Sequence, residues 1–545
     1  MEQKNKPETK FIFITGGVFS SLGKGVVAAS IGCILTDLGY NVVNQKWDPY
    51  LNVDPGTMSP YQHGEVFVTV DGFETDLDLG NYERFLRKEV SNLSSVTAGK
   101  VYNELIVNER RGAYLGKTIQ VIPDLTNIIK KKLWDLVNKT HAEFVIVEVG
   151  GTVGDIESIP FLEVIRQLIG EQSITKNVLV IHCAPLIFLK NTNEYKTKPL
   201  QHSIRTLSSC GIIADLLVVR SDAAINSSLI TKISFMCNVN EKNIFKNPDL
   251  SSTYFLPEIL FDQKIHHAIF RHFGLSNERK TNIDSWRKFT AMIKKPKQGV
   301  IKVGLVGKYT LLRDAYISIV ESLKIASYEL NLDVQINWID ARSVSKKSLY
   351  EQLDCCDGIL VPGGFGNDGT KFMLLAIEYA RIQKKPFLGI CLGMQLACIE
   401  FTRNVLKLAD ANTSEFATNK KSNNLIFSTI DHADSFGGTL RLGDWKVMIK
   451  ANTRAYDIYK QKIIFRRHRH RYAFNDSYTK LFEDQGFIFS GQCISKTNKF
   501  KELFELNNHP FFMGCQYHPE FSSKPLKCEP LFREFLRAIF SVKNK

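Results

Sequence analysis

At 545 residues the chain is longer than one hydrophobic core accommodates, and the length predicts roughly three or four domain-sized units. Hydrophobic residues make up 44% and charged residues 23%, an ordinary globular balance, and no apolar run reaches the roughly 18 residues of a membrane span. The formal net charge of +14 suits polyanions, either nucleic acid or nucleoside triphosphates.

The N-terminal stretch MEQKNKPETK is polar and predicts neither export nor organelle import. The eleven cysteines are scattered without a C-x-x-C spacing, and the one close pair, Cys355 and Cys356, is adjacent. A reducing, cytoplasmic setting with neither a disulfide framework nor a zinc site is expected.

In chain order, the apolar run Phe11–Thr15 reads as a buried strand, followed by a Gly-rich turn. Phe144–Val149 and Val178–Ile181 read as further central strands with helical stretches between them, which predicts a parallel α/β sheet over about 1–275. Residues 276–298, rich in Lys and Asn and ending KKPKQG, read as a linker. A second α/β pattern fills 299–545. It holds strand Val300–Val306, a helix with Ile319, Leu323, Ala326 and Leu330 on one face, and strands Val334–Ile339 and Gly358–Val361. A helix around Lys371–Gln383 and the strand Pro386–Ile390 follow. The fold class is therefore α/β, with two doubly wound, mainly parallel sheets. Residues 402–430 carry little apolar pattern and read as an insertion.

The loop from Gly16 to Gly25 (GGVFSSLGKG) lies between a strand and a small-residue helix. Glycines there let backbone N–H groups and the helix dipole face an anion, and Lys24 would neutralise phosphate charge. Gly25 stands where a standard P-loop has the Ser or Thr that holds magnesium, so carboxylates must hold the metal. Glu148, inside the apolar run FVIVEV, is costly unless paired or coordinating. The second acid is Asp78 or its competitor Asp76, which spacing does not separate.

Gly389-Ile390-Cys391-Leu392-Gly393 is a thiol version of the strand–turn–helix nucleophile elbow, which exposes the sulfur. The Leu392 N–H and the loop Pro362–Gly366 (PGGFG) can supply oxyanion donors. His518 and Glu520, in QYHPEF, supply a base and its orienting carboxylate.

GICLGMQ, PGGFG and CQYHPEF resemble the class I glutamine amidotransferases. ITGGVFSSLGKG, KWDPYLNVDPGTMSPYQHGEVFV, DGFETDLDLGNYERF, ERRGAYLGKTIQVIP, EVGGTVGDIES and KTKPLQHS, in that order, resemble the CTP synthase family over nearly the whole chain. The resemblance implies an ATP/UTP-binding synthetase domain at 1–275, the linker, and a glutaminase domain at 299–545. In that reaction ATP phosphorylates O4 of UTP, and ammonia from glutamine travels through an internal channel and displaces the phosphate, giving CTP. It implies Mg²⁺ as cofactor, GTP as activator, CTP as inhibitor, homotetramers and, in some assemblies, filaments, with no nucleic-acid or membrane partner.

By the same resemblance ATP is bound by Ser21, Leu22, Gly23, Lys24, Gly25, Lys46, Asp78, Arg220 and Asp249, and magnesium by Asp78 and Glu148. Ser20, Asp155, Ile156, Glu157, Lys196, Thr197, Lys198, Gln201 and Lys232 match the UTP/CTP site. Gly364 and Leu392 match the oxyanion hole. Gly364, Gln395, Glu415 and Arg471 match glutamine contacts, and Thr439 and Arg441 lie in a segment tied to GTP. Asp124 stands where the family usually has His, and Arg466 and Ala473 stand where it usually flanks HRHRY with acids. The alternatives are an ATP-dependent amidase of a carboxylate-bearing cofactor precursor, whose relatives lack KTKPLQ and GDIES, and a non-catalytic filament-forming relative.

Overall fold

Runs such as Phe11–Ile14 and Val145–Val147 have no polar alternation because both faces of their sheet are covered, as in parallel α/β folds. The computed structural model describes residues 9–20, 22–171, 174–275, 279–417, 424–430, 440–494 and 499–545. Two compact units emerge: Met1–Pro55 with Asp78–Ala291, and Gly56–Leu77 with Met292–Lys545.

The first unit is built on seven strands: β1 (Lys10–Gly16), β2 (Val42–Asp48), β3 (Ser95–Thr97), β4 (Phe144–Val149), β5 (Val178–Pro185), β6 (Leu216–Ser221) and β7 (Ile244–Pro248). Their order is β7-β6-β5-β1-β4-β2-β3, and every pairing is parallel. Helix α1 (Lys24–Asp37) follows β1 across the Gly-rich loop, α2 (Asp78–Leu86) packs on α1, and α3 (Lys198–Ser209) follows β5. Phe13, Trp47 and Phe161 form an aromatic line through one face of the sheet.

Within the stretch read as a linker, residues Asp284–Lys294 form helix α4. Its Trp286 is fully buried against Phe85 and Tyr254 and donates to the Tyr254 carbonyl at 2.9 Å. The Lys and Asn composition concealed an amphipathic helix whose apolar face is this Trp286–Phe289 pair.

The second unit carries a nine-stranded sheet of β8 (Val300–Gly307), β9 (Asp333–Asp340), β10 (Gly358–Val361), β11 (Phe387–Ile390), β12 (Arg441–Ile449), β13 (Ile463–His470), β14 (Phe487–Ile494), β15 (Lys499–Leu506) and β16 (Phe512–Cys515). The order is β9-β8-β10-β11-β16-β15-β14-β12-β13. The first five are parallel and the remainder antiparallel. Helices α5 (Ile317–Glu329), α6 (Thr370–Ile382) and α7 (Leu392–Asn404) cover it.

Residues 56–77, which the sequence reading placed with the first domain, pack with this second unit. Glu65 accepts from the Ser318 backbone N–H at 3.1 Å at the start of α5, the ring of Phe67 meets Phe521, and Arg467 donates to the Val68 carbonyl at 3.1 Å. Specific polar and ring contacts of this kind leave no trace in hydrophobic periodicity.

Candidate active site

In the first unit the loop between β1 and α1 turns the chain from strand into helix at a glycine. Gly23 takes φ 91°, open to glycine at no steric cost, and Leu22 is buried beneath the loop while Ser20 is exposed. Ser21 lies outside the described residues. Lys24 begins α1, and its Nζ donates to the Gly151 carbonyl at 2.5 Å. Burial pulls its ammonium below the ordinary lysine value, opposed by Glu148.

Beside the loop, Lys46 Nζ lies 2.6 Å from Asp78 Oδ2 and 2.7 Å from Glu148 Oε1, and the Tyr82 hydroxyl donates to the other Glu148 oxygen. Burial raises the Glu148 carboxyl, and the Asp78 charge adds to it. Two carboxylate oxygens converging on one point are the hard donors that magnesium requires, so the residues fit that ion. Of the two candidate acids, Asp76 pairs with His63 at 3.3 Å, and Asp78 opens α2 beside Lys46. Sequence reasoning missed a third acid, Asp48. It is 4% exposed, and burial, aided by Glu148 and Asp78 against Lys46, pushes it up to about 7. Its place at the end of β2, two residues after Lys46, was the available signal.

Three further segments meet this loop. An ideal β-carbon on Gly17 would lie 2.0 Å from Ser203 Oγ on α3, and one on Gly154 would lie 3.3 Å from Thr206. Asp155 accepts from the Thr152 N–H at 2.7 Å, fixing the turn that presents Ile156 and Glu157 to solvent. At the start of α3, Gln201 donates to Thr197 Oγ1 at 3.0 Å, Lys198 is exposed, and Lys196 pairs with Glu194 at 2.6 Å with Lys232 near the same carboxylate. Arg220 pairs with Asp249 and donates to the Pro248 carbonyl at 3.0 Å, beside the Asn247 amide that faces Gly23.

In the second unit Cys391 sits between β11 and α7 at φ 51°, ψ −102°, a costly conformation for a residue with a β-carbon. The flanking glycines are required, since a β-carbon on Gly393 would meet the Val361 carbonyl at 2.0 Å and one on Gly389 would meet the Gly393 carbonyl at 2.7 Å. The elbow was expected to expose the sulfur. Cys391 is instead 4% exposed, because β13 crosses beside it: Sγ lies 3.6 Å from the Arg469 carbonyl and 3.6 Å from Gln516 Nε2. His518 and Cys391 both face Gly363, whose ideal β-carbon would stand 3.0 Å from His518 Cε1 and 3.5 Å from Cys391 Cβ. His518 Nδ1 is 2.7 Å from Glu520 Oε1. Burial alone would lower the imidazolium, but Glu520 and then Cys391 outweigh it and raise His518 to about 10.

Leu392 is the first residue of α7, and Gly364 follows β10 in the facing loop. Gln395, buried in α7, donates to Gln516 at 3.2 Å. Glu415 accepts from the Gly366 N–H at 2.6 Å, with Arg471 close enough to stabilise its charge. Arg441 is buried, paired with Glu502 and covered by the Trp445 and Phe500 rings. Thr439 lies outside the described residues. His468, His470 and Glu502 have the spacing of a metal site, but the Arg441 guanidinium already supplies the cation, and His468 and Arg441 hold Glu502 well below the usual range despite its burial. Arg466 pairs with Glu529 at 2.8 Å, and Ala473 pairs with Ser428 in a short antiparallel ladder. Asp124 turns into its own loop, accepting from Lys117 at 2.7 Å and from the Gln120 N–H at 3.0 Å.

A family model for the CTP synthase N-terminus matches residues 10–275, and one for class-I glutamine amidotransferase matches residues 311–538. A CTP synthase of Phytoplasma australiense is 49% identical over 541 residues, covering 99% of this chain and 98% of that protein. One of Geobacillus kaustophilus is 47% identical over 531 residues, covering 97% and 99%. The solved glutaminase domain of Trypanosoma brucei CTPS with bound acivicin is 32% identical, covers 44% of this chain and 94% of its own, and has a TM-score of 0.41. With both family models matched in chain order and relatives aligned over nearly the whole length of both chains, the chain belongs to the CTP synthase family.

Proposed function

We propose that the second unit hydrolyses glutamine at Cys391 and that the first unit uses the ammonia to aminate ATP-activated UTP, yielding CTP, ADP, phosphate and glutamate. The observation that carries this reading is the Gly363-centred meeting of Cys391 and His518, with Glu520 behind the imidazole. His518 takes the Cys391 proton, and the N-terminus of α7 favours the thiolate that attacks. The thiolate forms a bond to the amide carbon of glutamine. Leu392 and Gly364 stabilise the oxyanion, and His518 passes its proton to the departing ammonia. Water then cleaves the thioester with His518 as base. Gln395, Glu415 and Arg471 orient the amino acid.

In the first unit Lys24 and the loop from Ser20 to Gly25, with Ser21 in it, hold phosphates together with Lys46. Arg220 and Asp249 hold the adenine end, and Asp78 and Glu148 would hold magnesium. That ion, when bound, neutralises charge on the transferring phosphoryl group. Lys196, Thr197, Lys198, Gln201 and Lys232 grip the triphosphate of UTP or of inhibitory CTP, with Asp155, Ile156 and Glu157 at the base. GTP acts as activator through the segment containing Thr439 and Arg441. The exposed apolar residues Ile106, Leu115, Val121 and Ile122 support assembly of copies into a tetramer. Eleven free cysteines support a cytoplasmic location, and among the described residues no helix is long and apolar enough to cross a membrane.

The test is product analysis with UTP, ATP, magnesium and glutamine. CTP, ADP and glutamate in equal amounts are expected. ADP release that does not require UTP would favour the cofactor-amidase alternative, and no glutamate at all would favour a non-catalytic relative.

A further inference from the structure

Lys308, directly after β8, is a lysine that the proposed chemistry does not use, yet it is 1% exposed. Burying an ammonium requires partners, and those partners identify its role. Its Nζ donates to the Phe365 carbonyl at 3.0 Å and also to the Gly366 carbonyl. Its side-chain carbons lie under Gly364, whose ideal β-carbon would be 3.5 Å from Lys308 Cδ. Its backbone is held as well, with its N–H donating to the Tyr316 hydroxyl at 3.1 Å and its carbonyl accepting from the Tyr61 hydroxyl.

The Gly366 residue is therefore pinned from two sides. Its carbonyl is taken by Lys308 and its N–H by Glu415 at 2.6 Å. Gly366 adopts φ 76° and has nothing within 4 Å of its ideal β-carbon, so at this residue it is the two backbone hydrogen bonds that hold the loop. The peptides after Gly364 cannot rotate without breaking the Lys308 bonds. An oxyanion donor acts only if its direction is fixed before charge develops.

We propose that Lys308 is a positioning residue for glutamine hydrolysis: its ammonium fixes the loop 362–366 from beneath, setting the Gly364 oxyanion donor and the Glu415 glutamine contact together. This rests on the reading of Cys391 and that loop as the glutaminase site.

The same geometry makes the latch sensitive to pH. Burial lowers the Lys308 ammonium to about 8, with Glu415 and Asp368 opposing the fall. The phenols of Tyr61, Tyr309 and Tyr316 around it are raised by their own burial and stay neutral there. Arg469 is the nearby fixed cation, its guanidinium 4.9 Å from the Phe365 ring. Below about 8 the ammonium holds both carbonyls, and its charge is lost as pH rises through that value.

The experiment compares Lys308→Met, Lys308→Arg and Cys391→Ala with the parent full-length enzyme, following glutamine hydrolysis and ammonia-dependent CTP synthesis across pH. Lys308→Met should lower the glutamine kcat by about a hundredfold, as loss of an oxyanion donor does, while KM moves less than about threefold. Lys308→Arg should restore part of that loss. The parent's glutamine kcat should fall as pH rises through about 8, and that limb should be absent in Lys308→Met. A glutamine kcat in Lys308→Met within about threefold of the parent, or a parent kcat flat across that range, overturns the proposal. If Lys308→Met does not fold, the parent's pH profile decides alone. If Cys391→Ala is dead toward glutamine while Lys308→Met is normal, the nucleophile assignment stands and only the latch falls. If Cys391→Ala still hydrolyses glutamine, the reading of the site itself fails.

Discussion

The carboxylate of Asp78 rests on the α-carbon of Gly25: an ideal β-carbon at Gly25 would stand 2.1 Å from Asp78 Oδ1. The position that carries the metal-binding hydroxyl in a standard P-loop is thus occupied by an oxygen arriving from another helix, and glycine is what makes room for it. Restoring the hydroxyl by Gly25→Ser should not restore a standard site. It should push Asp78 off Lys46 and lower ammonia-dependent CTP formation by about a hundredfold or more, since phosphoryl transfer depends on positioned charge. Glutaminase activity should survive. A Gly25→Ser enzyme with parental ammonia-dependent activity would show that Asp78 is not needed where it stands.

Glu148 meets Lys46 at 2.7 Å in the interior, so the choice of substitution matters. Glu148→Ala strands a buried ammonium and confounds folding with chemistry. Glu148→Gln keeps the volume and the Tyr82 contact but removes the charge. Ammonia-dependent synthesis should fall by about a thousandfold, with the magnesium concentration for half-maximal rate increased. Titration of CTP formation against magnesium checks this, and an unchanged half-saturation point counts against Glu148 as a ligand.

The parts of the fold set by periodicity were legible. Val145–Val147 could be read as a central strand because a strand covered on both faces has no polar register to conceal it. The elbow was legible because its glycines are demanded by backbone clashes at Gly389 and Gly393, which leave a fixed spacing in the sequence. Three things were not. The docking of residues 56–77 depends on Glu65 and Ser318, which are 253 positions apart. The burial of Asp48 depends on the long-range packing around β2, which its local sequence does not show. Nothing local to VGKYT indicates that the Lys308 ammonium points at carbonyls 57 and 58 residues away.

Asp124 is an acid where the resemblance implies His, and a like charge facing a nucleotide would repel it. Its two oxygens are instead taken by Lys117 and the Gln120 N–H, so its charge closes its own loop. Asp124→His should therefore leave the apparent affinities for UTP and GTP within about twofold, because a paired loop charge contributes little at a distance in salt. The cost should be a lower Tm from losing the backbone bond. Marked tightening of either nucleotide would revive the repulsion.

Glu157 is exposed on a turn fixed by Asp155 and Thr152, free to read a base without supporting the fold. UTP and CTP carry the same triphosphate and differ only in the base, so only contacts at the base end can tell them apart. Glu157→Ala should raise the inhibitory constant for CTP by about tenfold while the UTP KM changes less than about threefold, the loss expected for one hydrogen bond made by one ligand only. Equal losses for both nucleotides would remove Glu157 from the discrimination.

The last prediction concerns His518 and the division of labour between the two units. Glu520 sits 2.7 Å from His518 Nδ1, and the imidazolium is raised to about 10. For a group raised in this way, the favourable charge pairing is complete below the ordinary histidine value and disappears as pH rises through about 10. Near neutral pH the proton therefore resides on His518. Glu520→Gln removes the largest influence opposing burial, so His518 should lose its proton at lower pH, and the His518 limb near 10, distinct from the Lys308 limb near 8, should move toward neutrality. Cys391→Ala should lose glutamine-dependent CTP formation by about a thousandfold or more, yet keep ammonia-dependent synthesis, which should rise with pH as free ammonia increases. Lys24→Ala should do the reverse, losing synthesis with both nitrogen donors while hydrolysing glutamine. If Cys391→Ala stayed folded but lost ammonia-dependent synthesis too, the sulfur would be serving the first unit's chemistry, and assigning nitrogen release to one unit and amination to the other would have to be given up.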